Sequence, residues 1–500
     1  MELNEELDSE EMCLARSRLL EELQAERSRL GADADHLFNS ARLARFIRGN
    51  NGSVAEAAAH FRKMLRWYLE ADMLKKRRAI EGKPWDVNAV EGGPELFQIM
   101  CVDASRFTRD GNMLWVQRDG FAQIEKIMSL TDADLVDRMS ILCELREHHL
   151  DQMSKQCGKL MKSFQIRDLT GLNIVAVLRN RSVMGRLSDV FKIVSTAYPE
   201  TLAQMVIVNP PAGFNLFWTA VQPMLNDRIK QKLRFIPSGP LDFPLELVKI
   251  AGVGVLESLA KLAEDIHRGK GIIDLAPGFS HYKCSRLAPG SIAQWSFAVP
   301  PRCSLRFRAV LIDVAEGGRP EEGLIVREVC EAQAVSGVES RQTEPVAVET
   351  LVWLAWCNSD SWSQSVQLSN LQLMVFEKAA DSSDAIGRNP SSSSIRSRRE
   401  SRSPTSMANC FPSWCSSFSE SSSDDDVRLS STSQQVRRRK SSKEMPQAER
   451  AQTDNVSFAG GWSDGYRSLG LRFAILLLLV AMAHSAGKLA GKVDPILAYR

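Results

Sequence analysis

Residues Tyr198–Phe214 read YPETLAQMVIVNPPAGF, and the fold turns on how this stretch is divided. Met205–Val208 is a short apolar run rich in β-branched residues, the pattern of a buried strand. Val183–Thr196 before it and Phe214–Leu225 after it both read as helices, with Asn209-Pro-Pro breaking the chain between strand and second helix. Working outward, Leu160–Leu169 reads as a strand, and Thr131–Gln156 is a helix without a breaker. Met113–Arg118 is a strand that follows the turn Asp110-Gly111-Asn112. On the other side come a short strand at Lys232–Ile236 and an amphipathic helix over Leu245–His267. Strands alternating with helices of this length need crossover connections, which predicts an α/β unit with a mostly parallel sheet.

The flanks differ in kind. Residues 1–30 read as a charged helix, and a second helical block begins near Ala34. Within Val54–Leu74 the apolar Phe61, Met64, Leu65, Tyr68 and Leu69 recur at helix spacing. This helical N-terminal region covers 1–95 and the α/β unit 96–275, with Gly269, Gly271, Pro277 and Gly278 marking a boundary. From 280 to 378 the runs are short, β-rich and broken by Pro and Gly. They are Ile292–Val299, Ser304–Ile312, Gly323–Val329, Val346–Trp356 and Gln367–Phe376. That spacing predicts an antiparallel β-sandwich.

Residues 382–450 show no hydrophobic periodicity and hold twenty serines between Ser391 and Ser442, which predicts a disordered linker open to phosphorylation. Last comes Phe473–Gly487 (FAILLLLVAMAHSAG) between Arg472 and Lys488. Fifteen helical residues span about 22 Å, against a hydrocarbon core of about 30 Å. Snorkelling of the flanking cations closes part of that gap. Its place after a long linker favours an apolar C-terminal helix acting as a tail anchor over 471–490.

The formal charge of +2 over 500 residues is a sum of unlike parts. Between Arg388 and Lys443 eleven Lys/Arg face five Asp/Glu, a surplus of +6, so the remainder carries about −4. Overall neutrality argues against a nucleic-acid partner. The ten cysteines form no C-x-x-C pair, and the N-terminus is acidic where a signal peptide would be basic. His148 and His149 point about 100° apart on a helix and cannot share a metal face. H-E-x-x-H and G-x-x-x-x-G-K-[ST] are both absent. The expectation is a non-enzyme without a metal or other cofactor.

Several phrases together resemble the CRAL-TRIO lipid-transfer family over roughly residues 34–270. They are Leu43-Ala-Arg-Phe-Ile-Arg48, the strand Phe164–Leu172 (FQIRDLTGL), Tyr198-Pro-Glu200, Asn209-Pro-Pro-Ala-Gly-Phe214 and Pro223-Met-Leu225 with Lys232. The resemblance implies N-terminal helices, a mostly parallel sheet flooring a lipid cavity, and a movable helix over its mouth. Ser291–Phe297 and Leu351–Trp362 resemble a GOLD domain, the sandwich that follows the lipid module in supernatant protein factor and patellins. In this chain Cys357 replaces the usual Asp before Asn358.

By that resemblance, Glu200 and Lys232 match positions that engage an inositol phosphate, and Ser163 matches a hydroxyl near a phosphocholine, with Gln165 where a second hydroxyl is expected. Asn50 and Asn51 stand where the family carries a basic pair. Phe214, Phe217, Trp218, Val221 and Leu225 fall on the movable helix and suit membrane contact. The implied function is binding of a phospholipid, with phosphatidylinositol the candidate, and its transfer or presentation at the cytoplasmic side of an intracellular membrane, in trafficking or lipid signalling. Trafficking proteins would be further partners of the GOLD-like domain. The alternative is a trafficking adaptor that uses both modules to bind proteins and moves no lipid.

Overall fold

Successive residues of the central strands face two different cores. In a computed structural model, Met113, Trp115, Met205 and Ile207 join one apolar cluster with the N-terminal helices. Their neighbours Leu114, Val116, Phe164, Ile166, Val206 and Val208 join another. The structure describes residues 7–81, 92–123, 126, 129–172, 193–194, 196–211, 214–222, 227–314, 325–359 and 364–377. The expected linker, the Phe473–Gly487 tail and most of the expected helix Val183–Thr196 lie outside the described residues. Among the described residues no helix is long and apolar enough to cross a membrane.

The sheet runs β1 (Val102–Phe107), β2 (Met113–Arg118), β3 (Ser163–Asp168), β4 (Leu202–Val208), β5 (Leu233–Ile236), in that spatial order. β2 to β5 are parallel, and β1 is antiparallel to β2. The β2–β3 crossover carries the long helix Asp132–Cys157 (α7 below). Thr131 caps that helix by accepting the Asp134 amide at 3.0 Å, and Gly158 ends it at φ 66°.

Among the described residues six α-helices precede the sheet: α1 (Glu10–Glu22), α2 (Gln24–Leu30), α3 (Ser40–Gly49), α4 (Val54–Glu70), α5 (Met73–Ile80) and α6 (Gly93–Met100). The charged segment expected as one helix is two, joined at Leu23. Beyond the sheet lie α8 (Phe214–Val221), α9 (Asp227–Lys232), α10 (Phe243–Ala251) and α11 (Gly254–Ile266). The single helix expected over Leu245–His267 is therefore broken. Gly252 takes φ +92°, and the Arg109 amide donates to the Ala251 carbonyl at 2.9 Å. A left-handed residue ends a helix, and apolar periodicity on both sides of it conceals the break.

A cluster of buried ions joins α3 to α7. Arg42 lies 3.1 Å from Glu144 and 3.6 Å from Asp151, and Arg45 lies 2.5 Å from Asp151 and 3.5 Å from Glu147. Arg45 also donates to the Met161 carbonyl at 2.7 Å. Burial pushes the Glu147 carboxyl up to about 7, against the pull of Arg45.

Among the described residues eight strands follow in two antiparallel sheets. They are β6 (Ile272–Leu275), β7 (Ser280–Leu287), β8 (Ile292–Val299), β9 (Leu305–Asp313), β10 (Val326–Val335), β11 (Gly337–Gln342), β12 (Thr350–Cys357) and β13 (Val366–Phe376). One sheet has the order β10-β9-β12-β7 and the other β11-β8-β13-β6. Sequence reading yields five of these strands. The three it passes over, β6, β7 and β11, are all edge strands, where one side of the ladder is open and the apolar alternation is weaker. β12 is buried along its whole length. Val352, Leu354 and Trp356 fill the space between the sheets, while Leu351, Trp353, Ala355 and Cys357 pack on α10 and α11. The second set of sheets thus shares a core with the helices that back the α/β sheet.

Five histidines are held below their ordinary value by burial: His36 and His281 to about 3, and His148, His149 and His267 to about 4. These bases are neutral in the fold and take protons on unfolding below pH 6.5, so stability is lost as pH falls from 6.5 towards 4. Burial raises Glu147 to about 7 and Asp119 to about 6, which acts in the opposite direction. The five histidines outnumber the two acids. The melting temperature is therefore expected to fall between pH 6.5 and 4.5. A rise over that range in thermal denaturation would show that the carboxyls dominate.

Candidate functional site

The face of the α/β sheet that carries Met113, Trp115, Met205 and Ile207 also carries polar groups. Register places Met113 beside Ser163, Trp115 beside Gln165 and Gln117 beside Arg167, all on this face. Ser163 is wholly buried and donates to the Thr201 carbonyl at 3.1 Å. Gln165 Nε2 reaches Ser163 Oγ at 3.5 Å, and Trp115 Nε1 donates to Gln117 Oε1 at 3.4 Å. These bonds set both amide orientations. They leave Gln117 Nε2 and Gln165 Oε1 buried without a partner among the described residues. Each such atom costs on the order of 1–3 kcal/mol unless something pairs with it.

Glu200 and Lys232 meet beside the same strand start. Lys232 Nζ lies 3.2 Å from Glu200 Oε2 and donates to the Leu202 carbonyl at 2.9 Å. Glu200 is 2% exposed and holds a left-handed backbone, φ 56°. Thr201 and Leu202 thus tie the four predicted head-group residues into one cluster: Gln165 and Ser163 from β3, Glu200 ahead of β4, and Lys232 at the end of α9. The end of α3 reaches it too, since a Cβ on Gly49 would come within 3.0 Å of Pro199 Cβ. Asn50 turns inward and donates to the Phe46 carbonyl at 2.7 Å.

The predicted membrane-contact residues divide differently. Phe214 is buried against the same apolar cluster, and Trp218 packs on it partly exposed. Both rings meet Phe235 of β5 edge-on, with centroids 5.6 and 5.1 Å away. Phe235 itself is 37% exposed. The side chains of Phe217 and Val221 and the whole of Leu225 lie outside the described residues. α8 therefore caps the polar-and-apolar face at β5.

Sequence reading missed Gln117, Thr201 and the residues at the opposite strand ends. The available signal was polarity within Met113–Arg118, a strand that proves buried at every position. At its end Arg118 pairs with Asp168 at 3.1 Å, and Arg167 pairs with Asp119 at 2.5 Å, all four wholly or almost wholly buried. No group of three His, Cys, Asp or Glu suited to holding a metal ion occurs among the described residues.

Residues 104–242 match the family model described as the CRAL/TRIO domain. The chain is similar to two curated proteins called Protein real-time. It is 24% identical to that of Anopheles gambiae over 200 residues, 40% of this chain and 27% of the relative. To that of Aedes aegypti it is 22% identical over 201 residues, 40% of this chain and 29% of the relative. The match thus spans less than a third of the length of these relatives. Among solved structures, the crystal structure of Sfh5 aligns at a TM-score of 0.32 and 11% identity, covering 47% of this chain and 82% of that one. Over residues 104–242 the chain thus matches the CRAL/TRIO domain, with a helical region before that stretch and antiparallel β-sheets after it.

Proposed function

We propose that the chain binds a phospholipid between the polar face of its α/β sheet and α8, and transfers or presents it at a cytoplasmic membrane surface. One observation carries this reading beyond the family match: Gln117 Nε2 and Gln165 Oε1 lie buried and unpartnered on that face, amid Met113, Trp115, Met205 and Ile207. An amphiphile satisfies both kinds of wall. Its acyl chain contributes about 0.8 kcal/mol for each methylene buried, and its ester and hydroxyl groups offset the cost of the two orphan amide atoms. α8 acts as the lid, with Trp218 and Phe235 at its rim meeting the membrane. Phosphatidylinositol is the candidate ligand, with Lys232 facing its phosphate. The GOLD-like sandwich and the C-terminal tail would hold the module at the membrane and among trafficking partners. No step of this reading requires bond making, so the protein acts as a carrier rather than an enzyme.

Purified full-length chain should co-purify with phospholipid by mass spectrometry and move it between liposomes. Neither cargo nor transfer would overturn the proposal. An adaptor would instead pull down proteins while moving no lipid. Head-group choice is tested with the double variant Glu200→Gln/Lys232→Met, which removes both charges and strands neither. Transfer of phosphatidylinositol is expected to fall about tenfold, the size of one charge-assisted contact, with phosphatidylcholine transfer unchanged. Equal rates for both lipids would remove the assignment of these two residues.

A further inference from the structure

The lid reading leaves open what holds α8 down. Asn209 ends β4 in a left-handed conformation, φ 51°, on the segment that leads into α8. Its Nδ2 donates to Asp168 Oδ1 at 2.8 Å and to Thr170 Oγ1 at 2.9 Å. Asp168 is wholly buried, and its other oxygen accepts from Arg118 Nε at 3.1 Å. Arg118 is likewise buried, and its Nη2 donates to the Ser280 carbonyl at 3.2 Å, in the first residue of β7. The guanidinium lies over two rings, Phe121 at 4.3 Å and Tyr282 of β7 at 5.5 Å. Ser280 Oγ donates to the Tyr282 hydroxyl at 2.6 Å, and that hydroxyl donates to the Pro240 carbonyl at 3.0 Å. A continuous polar chain thus runs from the hinge of the lid, through the ends of β3 and β2, into the sandwich.

We infer that Asn209, Asp168 and Arg118 are positioning residues through which the sandwich holds the lid helix closed. The inference rests on the reading of α8 as a lid. A non-glycine residue in the left-handed region is strained, and here the bond from its own side chain to Asp168 compensates. Asp168 keeps its place because Arg118 holds its other oxygen. Arg118 is held in turn by a carbonyl and a ring that both belong to β7. A shift of β7 against the sheet loosens Arg118, then Asp168, then the turn. Asn209 relaxes to an extended backbone and α8 swings away. The two states are therefore a left-handed hinge with the lid down and an extended hinge with the lid up, and the sandwich biases the choice.

Hydrogen exchange on the full chain tests this without any lipid, following the amides of Phe214–Val221 with those of Ser163–Asp168 as internal control. Arg118 variants strand a buried carboxylate, so milder changes are used. Asn209→Gly keeps the backbone freedom and removes the side chain. Tyr282→Phe removes only the hydroxyl at the sandwich end and keeps the ring. Lid exchange should accelerate about tenfold in the first variant and about threefold in the second, with β3 unchanged, and the double variant should fall short of their product. Unchanged lid exchange in Tyr282→Phe, or effects that multiply in full, would overturn the inference. Liposome transfer by the same proteins reads the lipid proposal separately: coupled exchange without transfer leaves the hinge standing and removes the cargo.

Discussion

Arg45→Met is expected to lower the unfolding free energy by about 3–5 kcal/mol, the cost of removing one partner from a buried ion cluster. Arg45 has no exposed surface, and it serves Asp151 at 2.5 Å, Glu147 at 3.5 Å and the Met161 carbonyl at 2.7 Å together. Methionine fills much of the volume but leaves two carboxylates facing each other out of water. Arg42 lies 3.6 Å from Asp151 and compensates only in part. The cluster bridges α3 and α7, so its loss detaches the helical region from the sheet. Glu147→Gln should be mild by contrast, within about 1 kcal/mol, because burial already brings its carboxyl up to about 7. Urea unfolding of the three proteins decides the matter. A loss below 1 kcal/mol for Arg45→Met would mean that water reaches the cluster.

Gly120→Ala should be nearly as costly, for a steric reason. A Cβ at that position would stand 1.8 Å from the Thr170 carbonyl oxygen, and backbone cannot swing aside as a side chain can. The turn Asp119–Phe121 must then lift from Thr170–Gly171, taking with it the bonds that Arg167 makes to Asp119 at 3.0 and 2.5 Å. Phe121 would also leave Phe279, whose ring it meets edge-on at 5.1 Å. A penalty of about 3 kcal/mol is expected, at the upper end for overpacking. It should appear as a lower urea midpoint, and with it faster exchange of the amides in β7. A normal midpoint would show that the two turns are less tightly opposed than their contact implies.

Both predictions fall on residues whose importance is hard to read from the chain. Arg45 belongs to the phrase Leu43-Ala-Arg-Phe-Ile-Arg48, which marks a helix but says nothing of acids a hundred residues away. Gly120 belongs to no phrase at all. Its role emerges only when the Thr170 carbonyl oxygen is seen 1.8 Å from a notional Cβ. The four head-group candidates come from family position, and their assembly around Thr201 and Leu202 depends on the register of β3 against β4. Gln117 had no motif to announce it.

What periodicity and punctuation can carry, they carried. Met113–Arg118 and Ile292–Val299 form strands at those very residues, and the crossover helix begins one residue from its expected start, because apolar spacing, caps and breakers act within a few residues. Three things were decided in space. The edge strands β6, β7 and β11 owe their form to a neighbour on one side, and the break at Gly252 owes its stability to Arg109. The double burial of β12 requires a helix layer on one face and a second sheet on the other. Alternation says that a strand has two faces. Only the packed molecule says what covers each, because the partners come from distant parts of the chain, and their contacts are made only once it has closed.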